Sequence, residues 1–173
     1  MISRNLKWTL TLTTLFVVAL VSAQSAVKWL TLDEAITLSK TEPRKFLVDV
    51  YTDWCGWCKK MDHTTYENAQ VADYLNSHFY PVKFNAEQRQ EIKVNDKTYE
   101  YVRNGSRGYN QYAAALTFNR LSFPTTVFLD ENLKVIQPVP GYKNPDELQM
   151  MMKYFAEDHH KTTPWTKFIS NQH

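Results

Sequence analysis

Three short apolar runs stand out along the chain: Phe46-Leu47-Val48-Asp49-Val50-Tyr51, the stretch from Phe79 to Asn85, and Phe123 to Leu129. Runs of this length without polar alternation are the pattern of strands covered on both faces. Asp49 is the exception in the first of them, and Pro81 lies near the start of the second. Elsewhere apolar positions recur at helical spacing. Leu32, Ala35 and Ile36 follow Thr31-Leu32-Asp33-Glu34, a capping box, and Glu42-Pro43 ends the helix they predict. Val71, Ala72 and Leu75 mark a second helical stretch from Asn68 to Ser77, the continuation of a helix that begins at Cys55 and bends near Thr64-Thr65. Leu148, Met151, Met152 and Phe155 form the stripe of a last helix, opened by Asn144-Pro145-Asp146-Glu147 with its cap, first-turn proline and two acids. Val27 to Leu30 predicts a short leading strand. Lys134 to Val139 predicts a final one, which Pro138 and Pro140 confine to a sheet edge.

Strands alternating with helices, then a strand pair and a closing helix, imply an α/β fold with a central mixed sheet and helices on both faces. One stretch exceeds that plan. Ile92-Lys93-Val94, Asn95-Asp96 and Lys97-Thr98-Tyr99 predict a hairpin, and Tyr109 to Leu116 a short helix between Gly108 and Asn119. We read about 87–119 as an insertion ahead of the Phe123 strand. Its Tyr99, Tyr101, Tyr109 and Tyr112 fit either an aromatic surface that selects a partner or a hairpin closing its own small core, and the second reading is favoured. Asn104-Gly105-Ser106 fits a glycosylation acceptor, but Asn-Gly is first a turn signal. Residues 158–173 form a mostly polar tail whose end is expected to be poorly ordered, with His159-His160 solvated and Trp165, Phe168 and Ile169 as the residues able to dock.

The N-terminus changes the setting of the chemistry. Arg4 and Lys7, the apolar stretch from Leu10 to Leu20, and Val21-Ser22-Ala23 before Gln24 have the three parts of a targeting signal, which predicts a cleaved peptide over 1–23 and a domain over 24–157. An uncleaved membrane anchor is the rival, diluted by Thr9, Thr11, Thr13 and Thr14. The predicted destination is export, into a periplasm. The formal charge of +2 comes from the signal, since without Arg4 and Lys7 the basic residues equal the 18 acidic ones. Nucleic acid is therefore not an expected partner.

Trp54-Cys55-Gly56-Trp57-Cys58-Lys59 directly follows the first apolar run and holds the only two cysteines. Three positions apart at a helix start, they lie on one face, close enough to cycle between dithiol and disulfide. Unpaired N–H groups and the helix dipole at that end favour an anion, so Cys55 should ionise readily, while Cys58, one turn in, is placed as the buried resolving partner. In an exported protein such a pair is a reagent for other proteins or a minor staple, and a staple closing so short a loop adds little stability. A structural zinc wants four ligands. No second cysteine pair exists and His63 has suitable spacing only by coincidence, so no metal is expected.

These residues resemble the thioredoxin superfamily from Lys28 to Glu157. They look closest to exported or membrane-tethered thioredoxin-like proteins whose active segment reads Tyr-x-x-Trp-Cys-x-x-Cys-Lys, as Tyr51 to Lys59 does here. The resemblance implies a three-layer sandwich with Cys55 as nucleophile and Cys58 as resolving cysteine. It implies that Asp49 is a buried aspartate handling the resolving thiol's proton, that Lys83 is its neighbour, and that Pro124 is a cis-proline lining the substrate groove. Trp54, Gly56, Trp57 and Phe123 join Pro124 as expected substrate-side residues. Read alone, Asp49 also fits a satisfied buried polar group and Lys83 an ordinary surface lysine. Trp57 fits a substrate platform or packing against the insertion, and Trp54 a support beneath the motif.

The implied function is an exported thiol-disulfide oxidoreductase that reduces protein disulfides. It needs no cofactor beyond the Cys55–Cys58 pair, takes electrons from an unidentified donor, and meets a membrane only if the N-terminal segment is retained. Gly56-Trp57 departs from the Gly-Pro, Pro-His and Gly-His pairs of familiar members, which leaves the direction of electron flow open. An oxidase or isomerase, or a groove-type binding or chaperone-like module with a structural disulfide, are the alternatives.

Overall fold

A computed structural model describes residues 26–171 of the chain, so the predicted signal over 1–23 lies outside the described residues. Thr31 caps helix α1 (Leu32–Ser39) reciprocally: its hydroxyl accepts the Glu34 N–H, and its own N–H donates to the Glu34 carboxylate at 2.8 Å. Strand β1 (Lys45–Tyr51) follows. Helix α2 (Gly56–Met61) then runs into a π-helical turn at Asp62–Tyr66, the position of the expected bend. Helix α3 (Ala69–His78) restarts on Asn68, whose side chain accepts from the N–H groups of Gln70 and Val71. Strand β2 (Phe79–Asn85) leads to hairpin β3 (Ile92–Val94) and β4 (Lys97–Tyr99), a second hairpin of β5 (Tyr101–Asn104) and β6 (Arg107–Asn110), and helix α4 (Gln111–Leu116). Strands β7 (Thr125–Leu129) and β8 (Val135–Pro140) precede helix α5 (Pro145–Ala156), a 3₁₀ turn at His159–Lys161 and helix α6 (Trp165–Ser170).

The main sheet has the order β2-β1-β7-β8, with β1 parallel to β2 and the other pairs antiparallel. Strand β8, with Pro138 and Pro140, is an edge as its prolines require. The strand expected over Val27 to Leu30 reduces to one bridge, Leu30 to Val82. Alternation along β1 sends Phe46, Val48 and Val50 into a core shared with α1, α4 and the β3–β4 hairpin, whereas Leu47 faces a core built with α3, α5 and α6. Asp49, two residues from Leu47, therefore shares the second face. The result is the expected α/β three-layer arrangement, a mixed sheet between two helical layers.

Three expectations need correction. The predicted helix from Tyr109 begins at Gln111, because Arg107–Asn110 pairs with Tyr101–Asn104 across the Asn104-Gly105 turn. The insertion does not close a core of its own: Ile92, Val94 and Tyr112 are buried in the first main core with Tyr99 packed against them. Buried Asn110 anchors it from within, donating to the Gln90 carbonyl at 2.9 Å. The polar tail is also ordered as far as it is described. Phe168 is buried in the second core, His159 and His160 pack on Phe168 and Phe155, and buried Lys45 at the head of β1 pairs with Asp158 and Glu131, each at 3.0 Å. Burial alone would depress the Lys45 ammonium, but the two carboxylates outweigh it and raise its pKa.

Candidate active site

The site starts from the register of the central strands. Parallel pairing sets Asp49 beside Lys83 on β2, and antiparallel pairing sets it beside Thr126 on β7. Asp49 is 1% exposed, and Lys83 Nζ donates to its Oδ2 at 2.5 Å. Lys83 Nζ also donates to Asp62, in the π-helical turn. The rings of Trp29, Tyr51 and Tyr66 surround the same ammonium at 4.9, 5.0 and 5.3 Å. Lys83 is thus held between two carboxylates in an aromatic cage, which excludes the ordinary surface-lysine reading. Burial pushes the Asp49 carboxyl up, with the Lys83 ammonium partly offsetting it. Burial pulls Lys83 down, but Asp49 and Asp62 together raise it. Asp49 Oδ1 has no hydrogen-bond partner among the described residues, so one oxygen of a buried carboxyl is left to take a proton.

The same strand delivers the cysteines. The chain leaves β1 through Thr52 to Trp54, with the Cys55 N–H donating to the Thr52 carbonyl at 3.1 Å, and Cys55 becomes the N-cap of α2. Its Sγ accepts the N–H of Cys58 at 3.0 Å, as a capping side-chain oxygen would. Cys55 and Cys58 form a disulfide with Cα atoms 5.3 Å apart. Both are buried, Cys58 the more deeply.

Two exposed indoles border the pair, and the packing of each differs from the structural reading weighed for it. Trp54 is 52% exposed rather than tucked beneath the motif. Its Nε1–H donates to Glu87 at 3.1 Å, its edge meets Phe123 with centroids 5.9 Å apart, and the Arg107 guanidinium lies over its ring at 4.5 Å. Trp57, 58% exposed, packs on Tyr142 in the β8–α5 loop rather than on the insertion, and Lys60 sits over its ring at 4.7 Å. The tryptophan that meets the insertion is Trp54. Gly56 has nothing within 4 Å of a virtual Cβ, leaving the surface between the indoles open. The Phe123–Pro124 peptide is cis, Pro124 is buried, and its carbonyl accepts the Gly141 N–H at 2.8 Å. His63 points outward to Glu67, and among the described residues no group of His, Cys, Asp and Glu side chains is placed to hold a metal.

Sequence reasoning missed Asp62, the rings of Trp29 and Tyr66, Arg107 and Tyr142. Only Asp62 carried a local signal, since it lies one residue past the end of the cysteine helix.

The family described as "Protein of unknown function, DUF255" (Thioredox_DsbH) matches residues 16–165. The chain belongs to this family. Among curated proteins, "Uncharacterized protein B0495.5" of Caenorhabditis elegans is 26% identical over 136 residues, which span 78% of this chain and 16% of that much longer relative. Among solved structures, a "DsbH Oxidoreductase" superposes with a TM-score of 0.56 at 18% identity, covering 90% of this DUF255 chain and 94% of the other. A thioredoxin-fold protein from Helicobacter pylori gives 0.55 at 17%, covering 75% and 80%. A thioredoxin from Thermus thermophilus gives 0.54 at 16%, covering 80% and 99%. The fold of this family member is therefore thioredoxin-like, with a Cys55–Cys58 disulfide at the start of α2.

Proposed function

We propose that the chain is an exported thiol-disulfide oxidoreductase that reduces disulfides in other proteins. The observation that carries this reading is Cys55 as N-cap of α2, its sulfur accepting the Cys58 N–H, with Asp49 buried in the strand that leads to it. In the reduced protein the same N–H would stabilise a Cys55 thiolate. That thiolate attacks one sulfur of a substrate disulfide and forms a mixed disulfide, and the other substrate sulfur leaves and takes a proton. Cys58 then loses its proton to Asp49 and attacks Cys55 Sγ, releasing the second substrate thiolate. Two electrons pass to the substrate and the Cys55–Cys58 disulfide remains, to be reduced again by a donor dithiol. Lys83, clamped by Asp49 and Asp62, acts as a positioning residue for the Asp49 carboxyl.

Reduction rather than oxidation is supported by the caged Asp49–Lys83 pair and by the absence of a histidine between the cysteines. Export is supported by the composition of residues 1–23, and a periplasm is the compartment that fits it. The test is turnover of a disulfide-bonded protein by the reduced chain. Wild type should reduce it, Cys55→Ser should not, and Cys58→Ser should accumulate a mixed disulfide on Cys55. A reduction potential near about −270 mV fits the reductant, one near about −120 mV an oxidase. A dithiol that no protein disulfide reoxidises would leave only a binding module with a staple.

A further inference from the structure

We propose that Arg107 and Lys60 are the specificity residues of the disulfide mouth, and that they select polypeptide disulfides flanked by acidic side chains. This rests on the oxidoreductase reading and names the substrate class of the same site.

The two large apolar faces beside the disulfide, Trp54 and Trp57, each carry one cation. Arg107 lies 4.5 Å over the Trp54 ring, and Lys60 lies 4.7 Å over Trp57 and 5.2 Å over Tyr142. Neither cation has a carboxylate partner among the described residues. Two carboxylates share this rim and keep their charge, Glu87 accepting the neutral Trp54 N–H and Asp53 the neutral Asn85 amide. Exposed Lys59 adds a third cation beside Cys58. Three cations against two carboxylates leave the rim positive by one charge, with the cations on the indole faces.

Arg107 reaches the mouth by a fixed route. It pairs with Asn104 at the end of the β5–β6 hairpin, next to Gly108. A Cβ on Gly108 would fall 2.4 Å from both the Val102 carbonyl oxygen and the Tyr101 hydroxyl, so the two strands meet at a closeness only glycine permits. Trp54 is equally fixed, by Glu87 at its N–H and Phe123 at its edge. A guanidinium stacked on an oriented indole keeps its N–H edges free and loses little further freedom when it takes a carboxylate in bidentate fashion. Lys60 offers a second positive point on the other indole. An extended segment lying beside Pro124 would pass both, which calls for acidic residues flanking its disulfide.

The test uses two disulfide-bonded peptides that differ only in flanking residues, Glu in one and Lys in the other, reduced by the full chain. At low salt the Glu peptide should react about five- to tenfold faster, as exposed charge pairs at a rim allow. The advantage should shrink toward parity near 1 M salt, where screening acts within about 3 Å. Arg107→Gln and Lys60→Gln should each lower the rate ratio, and the double variant should lower it furthest, leaving only the part due to Lys59. A ratio of one in wild type, or an unchanged ratio in the double variant, overturns the proposal. Bis(2-hydroxyethyl) disulfide, which is neutral, separates the levels. If wild type reduces it while the peptide ratio is one, the acidic selection falls and the oxidoreductase reading stands. If neither it nor any peptide is reduced, both fall. Oxidised glutathione carries similar carboxylates in a small molecule. If it outpaces the Glu peptide and loses that lead in the double variant, the cations serve a small disulfide and the polypeptide assignment is overturned.

Discussion

Replacing Asp49 by Asn removes the proposed base while keeping the side chain's shape. At neutral pH an ordinary thiol, with a pKa of about 8.5, is ionised only to a few per cent, and Cys58 is buried away from bulk base. The orphaned Oδ1 of Asp49 offers a proton acceptor on the face of β1 that the cysteine helix covers. Positioned bases contribute about 10²- to 10⁴-fold, so a water-limited resolving step should lose about 10- to 100-fold, or ~1.4 to ~2.7 kcal/mol in barrier. Formation of the mixed disulfide depends on Cys55 and its backbone donor and should change less than about threefold. Stopped-flow measurement of both steps separates them. Equal slowing of formation and release, or no slowing of release, refutes the proton role. The same variant has a stability signature. Because burial raises the Asp49 pKa in the fold, the protonated form is favoured there, and stability falls as pH rises from the ordinary carboxylate range through the raised value. Asp49→Asn should remove that slope, and Asp62 remains to hold Lys83.

Phe168→Ala should destabilise the protein by about 3 kcal/mol, read by denaturant unfolding, because Phe168 is buried against Tyr154 in the second core; no change would mean that the tail is frayed. Gly108→Ala should cost about 1–3 kcal/mol and make the β5–β6 hairpin protease-sensitive, since the new Cβ meets the Val102 carbonyl; an unaltered melting temperature and digestion pattern would contradict the close strand contact. Burial would raise the Asp158 carboxyl, but Lys45 and Lys161 outweigh it and hold it below its usual range. Its contribution is therefore present above the ordinary carboxylate value and lost as pH falls through the lowered one, and Asp158→Asn should flatten that part of the acid-unfolding profile.

The main sheet was legible because its strands are apolar on both faces and bounded by turns and prolines, and the helices because Thr31, Asn68 and Asn144 cap them locally. Asp49 stood out as a carboxylate inside an apolar run. Its partner Lys83 follows from parallel register, a long-range relation that only the resemblance supplied. The rest was not legible for related reasons. The cage around Lys83 draws Trp29, Tyr51, and Tyr66 with Asp62 from three different stretches, so no local pattern announces it. The β5–β6 hairpin consists of four-residue strands, half-exposed and without apolar alternation. The tail reads as polar because one of its two anchors is ionic: beside the apolar contact of Phe168, a lysine buried in β1, where lysines are rarely found, is held by Asp158 more than 100 residues later. The packing partners of Trp54 and Trp57 follow from which loop each indole faces, and that depends on tertiary placement.

The proposed chemistry depends on the start of α2 keeping the sulfur of Cys55 ionised while Cys58 waits behind it protonated. The direct measurement is the pH dependence of Cys55 alkylation in the reduced chain, with Cys58→Ser as the single-thiol control. Half-ionisation is expected below the value of about 8.5 of an ordinary thiol in both proteins. A midpoint at or above that value, or alkylation that proceeds first at Cys58, would contradict it.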